Sequence, residues 1–326
     1  MEEMEITPVL FSLFGLDVTA YSVSICLAAI AGLLVLFLKT GKKLKGDSVW
    51  YLGVLSLPLA LICARLFYVL VRYPNYPEIL PNIFNVWKAT ASEADYDIAA
   101  GGGFALWGAV GGAVLAALIV SRTSKQSLAT ILDAMAAPAA LTICIARFAE
   151  TFTSEGRGPA IENPLFCRAP FCLFEFEEWK LAVFVFEGIA ALVILILMLL
   201  YKPSRPGDGA RKFLILYGAC QVLLESLRRD NFLRWLFVRV SQLAAVIIML
   251  LMIICAIVRW NKAQAKAMPK KKIVLYTVLF FLFVGGCIGI EFAVDKSDWP
   301  NEILYTLLAV CAAGLGVTTW NVAMKN

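Results

Sequence analysis

Apolar residues fall in nine long runs, near 18–38, 49–71, 101–120, 128–148, 180–201, 212–228, 238–258, 273–292 and 303–322. A bilayer-spanning helix needs about 17–25 such residues, whereas a barrel strand needs only about 9–11. In lipid the backbone must satisfy its own hydrogen bonds, so runs of this length predict helices. The expected fold class is all-α: a polytopic membrane bundle of about nine transmembrane helices. The polar segments between runs alternate in charge. Lys39, Lys42, Lys43 and Lys45 follow the first run, Arg122 and Lys125 the third, Lys202, Arg205, Arg211 and Lys212 the fifth, and Arg259, Lys262, Lys266 and Lys270 to Lys272 the seventh. The opposite ends carry Glu2, Glu3 and Glu5, then Glu93, Asp95 and Asp97, then Glu175, Glu177 and Glu178, then Glu291, Asp295 and Asp298. Basic segments stay on the cytoplasmic side, so the N-terminus is expected outside and the C-terminus inside.

Composition narrows the class. Hydrophobic residues make up 61% of the 326-residue chain and charged residues 16%, against about 25% charged in a soluble domain. No sizeable soluble domain is expected. The net charge of +5 is a topology signal that also gives some affinity for anionic headgroups. Because the positive residues are scattered over separate loops, no nucleic-acid partner is expected. The chain has no His, which excludes a His-containing zinc site, and no metal is expected. Seven of the nine cysteines lie in apolar runs, while Cys167 and Cys172 share an outside loop; a disulfide or two free thiols both fit there. The acidic start lacks the basic region of a cleavable signal peptide. The chain changes character after Lys272, so residues 1–260 are expected as the main membrane unit and 273–322 as a two-helix extension whose notable polar residue is Glu291. No internal repeat argues for a transporter.

Charges inside the runs carry the candidate chemistry. Arg147 ends the fourth run, at about 2.5–3.5 kcal/mol even on the lenient insertion scale if placed at a helix centre. A guanidinium matches two phosphate oxygens at once. With the predicted topology, Arg65, Arg147, Glu187, Glu225 and Arg228 all fall in the outer half, beside the glycines that open the third run, Gly101 to Gly103 with Gly108, Gly111 and Gly112. A polar cavity open to the outer leaflet would use Arg65, Arg147 and Arg228 for phosphate. Glu150, Glu155, Glu187 and Glu225 would hold those arginines or handle protons. Ion pairs that only join helices are the structural alternative, as is close packing for the small residues. Asp133, near the inner end, reads as a cap or anchor.

Several blocks in one order resemble the bacterial prolipoprotein diacylglyceryl transferases, from about Val18 to Ile257. They are Ala64-Arg65-Leu66-Phe67-Tyr68-Val69-Leu70, Gly102-Gly103-Phe104-Ala105-Leu106-Trp107-Gly108-Ala109, Asp133 with Pro138 and the stretch Arg147 to Arg157, Phe186-Glu187, Arg205-Pro206-Gly207 ahead of Leu216-Tyr217-Gly218, Glu225, Arg228 and Asp230, and Arg239-Val240-Ser241-Gln242. The resemblance implies transfer of a diacylglyceryl group from phosphatidylglycerol to the lipobox cysteine of a prolipoprotein. Glycerol 1-phosphate leaves at the outer face of the bacterial cytoplasmic membrane, and no soluble cofactor is needed. Its expected partners are phosphatidylglycerol and prolipoprotein signal peptides. Such chemistry needs fixed positive charge at the leaving phosphate, a base for the thiol and a cavity that aligns both substrates.

Residue by residue, the expected catalytic set is Glu150, Glu155, Glu225 and Tyr217. The expected substrate-binding set is Arg147, Arg65, Arg228, Arg157, Gln221, Trp107, Gly103 and Glu187. Four departures from the family pattern stand out: Trp107 where His, sometimes Tyr, is found, Glu150 where Asn is usual, Gln221 where Arg is usual, and Gly156-Arg157-Gly158 where a tryptophan-glycine motif usually follows the signature's Glu. Two readings follow. Either Glu150 supplies the base and Arg65, Arg157 or Arg228 replaces the missing cation, or the scaffold has lost or changed its reaction and binds an anionic lipid without turnover.

Overall fold

Each of the nine apolar runs forms a long helix. The computed structural model describes residues 9–13, 16–40, 44, 47–72, 103–161, 167–175, 177–229, 233–235, 238–262, 268–297 and 299–325. Among them the helices are α1 (Ala20–Thr40), α2 (Ser48–Arg72), α3 (Leu106–Ser124), α4 (Leu128–Ala149), α5 (Val183–Leu200), α6 (Asp208–Leu227), α7 (Val240–Lys262), α8 (Lys270–Lys296) and α9 (Asn301–Lys325). Eight are long and apolar enough to cross a membrane. The ninth, α6, is more polar because Asp208, Arg211, Lys212 and Glu225 lie within its 20 residues. The protein is a multi-pass, all-α membrane protein. The acidic segment of Glu93, Asp95 and Asp97, together with Gly101, Gly102, Lys42, Lys43, Lys45, Lys266, Asp230 and Asp298, lies outside the described residues.

Helix α3 begins five residues later than the apolar run. Ala105 is extended at φ −95° and ψ 126°, and its N–H donates to the Ala64 carbonyl at 3.1 Å, which ties the entry of α3 to α2. Further along, the small residues serve packing rather than a lumen. A Cβ on Gly108 would sit 2.5 Å from the Cys63 carbonyl oxygen, and one on Gly112 would collide with that of Leu59. The two backbones are therefore in direct contact, the close-packing alternative set out above.

Helix α4 is central. One buried cluster joins Leu36, Val49, Leu52, Ala116, Val120 and Ile131 from α1 to α4. A larger one joins Ala140 and Cys144 of α4 to residues of α5, α6, α7, α8 and α9. Asp133 of α4 then anchors α6: its carboxylate accepts the Gly207 N–H at 2.7 Å and the Ala210 N–H at 2.8 Å. These are donors that a helix start leaves unpaired, so Asp133 caps a neighbouring helix rather than its own.

Short strands complete the fold, and hydropathy alone did not predict them. β1 (Val9–Leu13) pairs antiparallel with β2 (Leu16–Thr19) ahead of α1. Between α4 and α5 run β3 (Arg157–Ala160), β4 (Cys172–Glu175) and β5 (Glu178–Ala182), in the order β3-β5-β4. β6 (Arg234–Trp235) and β7 (Val238–Arg239) join α6 to α7. Counting crossings, all three sheets fall at the same end of the bundle, the one the loop charges assign to the outside.

Candidate active site

Successive helices are antiparallel, so the end of α4, the start of α5, the end of α6 and the start of α7 meet under those strands. Arg147 comes from α4, Glu150 from the 3-10 turn that follows it, Glu187 from α5, Gln221 and Glu225 from α6, Arg228 from the residue after α6, and Arg239 from β7. Arg147 Nε lies 3.1 Å from Glu187 Oε2, and its Nη1 bonds Glu150 Oε1. Arg228 Nη1 lies 3.2 Å from Glu187 Oε2 and 3.5 Å from Glu150 Oε2. Gln221 Nε2 donates to Glu225 Oε2 at 2.7 Å and to Glu187 Oε1 at 3.4 Å. Arg239 Nη1 lies 3.7 Å from Glu225 Oε1, while its Nη2 donates to the Arg228 carbonyl. Glu187, Gln221, Glu225 and Arg228 are each 2% exposed.

Three guanidinium groups thus face three carboxylates in a closed network. Buried charges are tolerated only when paired and hydrogen-bonded. Gln221 is the uncharged member, and its amide N–H groups tie Glu187 to Glu225. The network alone would serve as helix glue. What departs from glue is the polar surface beside Arg147. Among the described residues, Glu150 Oε2 has only its long contact to Arg228, and Trp107 Nε1 makes no hydrogen bond. The Tyr217 hydroxyl approaches the Arg147 guanidinium but falls short of hydrogen-bond geometry. The Trp107 and Tyr217 rings lie 6.2 Å apart, and Tyr217 stacks on Phe213. An unsatisfied buried polar group costs about 1–3 kcal/mol, and native interiors hold few of them. Two such atoms near Arg147, on Glu150 and Tyr217, with a third on the Trp107 ring that neighbours Tyr217, mark a place suited to a polar ligand.

The outer loop is built separately. Arg157 Nε lies 2.9 and 3.0 Å from the two Glu175 oxygens, and its Nη2 lies 2.7 Å from Oε1. Its remaining donors go to the carbonyls of Glu155 and Thr153, and its guanidinium sits over the Phe184 ring at 5.1 Å. The expectation that Arg157 stands in as a phosphate cation therefore meets a guanidinium already committed to a loop clamp. Glu155 is half-buried beside this clamp. Arg65 donates to the Gly103 carbonyl at 3.2 Å and lies 5.6 Å from the Tyr68 ring centre, at the α2–α3 junction. Gly156, at φ +73°, packs under Glu150: a Cβ there would sit 2.5 Å from Glu150 Oε2.

Two members escaped sequence reasoning. Arg239 had a signal, a cation at the start of a span in one of the blocks quoted above. Tyr21, at the start of α1, lies within electrostatic reach of Glu155, Glu150, Arg147 and Arg228, and nothing local marks it. Cys167 Sγ lies 3.4 Å from the Ile161 carbonyl oxygen; Cys172 is a buried thiol, and burial pushes its pKa up.

Fold and site together define a membrane-embedded protein with a charged, incompletely satisfied cluster at one end of its helix bundle. Residues 8–259 match the family model of the prolipoprotein diacylglyceryl transferases, and the chain belongs to that family, which makes it a transferase. It is 26% identical over 235 residues to the phosphatidylglycerol–prolipoprotein diacylglyceryl transferase of Clostridioides difficile, covering 68% of this chain and 84% of that one. The enzyme of the same name from Streptococcus suis is 26% identical over 274 residues, 81% of this chain and 96% of its own. That of Acaryochloris marina is 29% identical over 234 residues, 69% and 80% respectively.

Proposed function

We propose that this protein moves the diacylglyceryl group of phosphatidylglycerol onto the lipobox cysteine of a prolipoprotein, at the outer face of the bacterial cytoplasmic membrane. The observation that supports the reading most is the Arg147 guanidinium beside Glu150 and Tyr217, where Glu150 Oε2 and Tyr217 Oη lack a hydrogen bond among the described residues, as does Nε1 of Trp107 next to the Tyr217 ring. Arg147 binds the lipid phosphate, with Arg228 behind it sharing Glu187. Tyr217 and Trp107 donate to the headgroup, and Gln221 and Glu225 hold the wall of the site. Gly103, Arg65, Glu155 and Arg157 shape its outer rim. The transferase unit is 1–260, and 273–322 is an added pair of helices.

The reaction follows from this placement. The cysteine thiol gives its proton to Glu150. The thiolate sulfur attacks the glycerol carbon that bears the phosphate ester, the C–S bond forms as the C–O bond breaks, and the electron pair goes to the phosphate oxygen. Glycerol 1-phosphate leaves with the proton from Glu150, and the peptide keeps a thioether. Arginine donors fixed in a low-dielectric site stabilise the charge that grows on the leaving oxygen.

Purified protein in phosphatidylglycerol nanodiscs with a lipobox peptide should release glycerol phosphate and add a diacylglyceryl mass to the peptide cysteine. Arg147→Ala should lose both. The balance of three arginines by three glutamates favours one other reading, an anionic-lipid-binding protein without turnover. Lipid binding with no glycerol phosphate release would decide for it.

A further inference from the structure

The family match ends at residue 259, yet α8 and α9 are wired to α6, the helix that carries Gln221 and Glu225. α9 runs antiparallel along α6. At one end Arg229 Nη2 donates to the Tyr305 hydroxyl at 2.7 Å, and at the other Arg211 Nη1 donates to the Ala323 carbonyl at 3.1 Å. Between them a Cβ on Gly316 would lie 3.2 Å from that of Ala219, so the two helices are in contact along their length. α8 reaches the site more directly. Gln242 of α7 splits its amide donors: Nε2 gives one hydrogen bond to the Val222 carbonyl at 3.1 Å and one to Glu291 Oε1 of α8 at 2.7 Å. Val222 directly follows Gln221 and is one turn from Glu225.

We propose that the α8–α9 extension is an intramolecular brace for α6, and that Glu291 is a positioning residue that sets Gln221 and Glu225 through the Gln242 amide. An amide can flip its oxygen and nitrogen. Facing a carboxylate, it presents nitrogen, because the flipped form would set two oxygens against each other. The Glu291 carboxylate and the Val222 carbonyl select the same orientation, and the shorter bond to Glu291 holds the Gln242 nitrogen where its second N–H reaches α6. A carboxylate in a membrane helix is costly unless it faces the protein interior and finds such a partner. Ordinary packing of two appended helices would need no acid at this position. The effect on turnover rests on the transferase reading above; the effect on α6 does not.

Two measurements on the full-length protein in phosphatidylglycerol nanodiscs test this. The first is hydrogen exchange of the backbone over residues 221–228. Glu291→Leu should speed exchange there and leave α4 unchanged, while Glu291→Gln, whose carbonyl can still accept from Gln242, should stay close to wild type. Unchanged exchange in Glu291→Leu overturns the brace. The second is steady-state transfer to a lipobox peptide. Glu291→Leu should lower kcat about tenfold to a hundredfold, the scale of a small misplacement at a reacting centre, with KM for phosphatidylglycerol unchanged and Glu291→Gln restoring the rate. Faster exchange with unchanged kcat overturns the positioning role. Faster exchange in a protein that is inactive as wild type leaves the brace standing and removes the transferase reading. If Glu291→Leu does not fold, Tyr305→Phe cuts the Arg229 tie and should speed exchange at residues 225–229; no change there overturns the brace as well.

Discussion

Arg147 and Arg228 close on the same oxygen of Glu187, at 3.1 and 3.2 Å. Arg147 can therefore turn toward an incoming phosphate without stranding a buried carboxylate, because Arg228 stays on Glu187. An exchange of partners inside a low-dielectric site is feasible only when no charge is left alone, and this sharing meets that condition.

Arg147→Lys should not rescue Arg147→Ala. An ammonium cannot bond Glu150, Glu187 and a phosphate in the planar pattern that a guanidinium offers. Loss of one preorganised donor to a developing oxyanion lowers turnover about 10²–10³-fold. Glycerol phosphate release by the two variants checks this, and a lysine variant with near wild-type turnover would contradict it.

Glu187→Leu should destabilise the protein by about 3–5 kcal/mol, the usual effect of removing one member of a buried ion pair. Two arginines lose a partner at once, so Glu187→Gln, which keeps a carbonyl acceptor, should be milder. Unfolding in a mild detergent, followed by tryptophan fluorescence, ranks the two.

Gly156→Ala places a methyl group on a backbone at φ +73° and against Glu150 Oε2. The conformation alone costs about 1–3 kcal/mol for a residue other than glycine, and relief requires Glu150 to move from Arg147. Transfer activity should fall more than stability does. Equal rates in the two proteins would show that Glu150 tolerates displacement.

Arg157→Ala, Glu175→Ala and the double variant should lose transfer activity to similar extents. The pair acts as one clamp, and partners of one interaction are not additive. A Glu175 variant with full activity beside an inactive Arg157 variant would show that the Glu175 pairing is not what the clamp depends on.

Burial raises the Cys172 thiol pKa, so the thiolate that reacts with alkylating reagents is scarce at neutral pH and grows as pH rises. Labelling of Cys172 should lag that of a free cysteine in solution and accelerate in alkali. Mass spectrometry of the outer-loop peptide reads the rate directly.

The helices were legible because lipid leaves hydrophobic length as the dominant signal. The cluster was legible in part. Arg147, Glu187, Glu225 and Arg228 are charges in apolar runs, and loop charge alone put them at one level. Arg157 was not, because its fate depends on Glu175, which is brought close by a sheet order that hydropathy does not encode. The same applies to β3, β4 and β5, whose short segments carry no alternation long enough to stand out. Gln221 was read as a missing cation, and only its two carboxylate neighbours show what the amide does in this chain.

Asp133 holds the first turn of α6 at one end, and Tyr305 holds Arg229 just past the other. A helix pinned top and bottom cannot slide along its axis without breaking both fastenings. Gln221 and Glu225 therefore act as fixed marks on a ruler, and any motion that admits substrate falls to the segments above them.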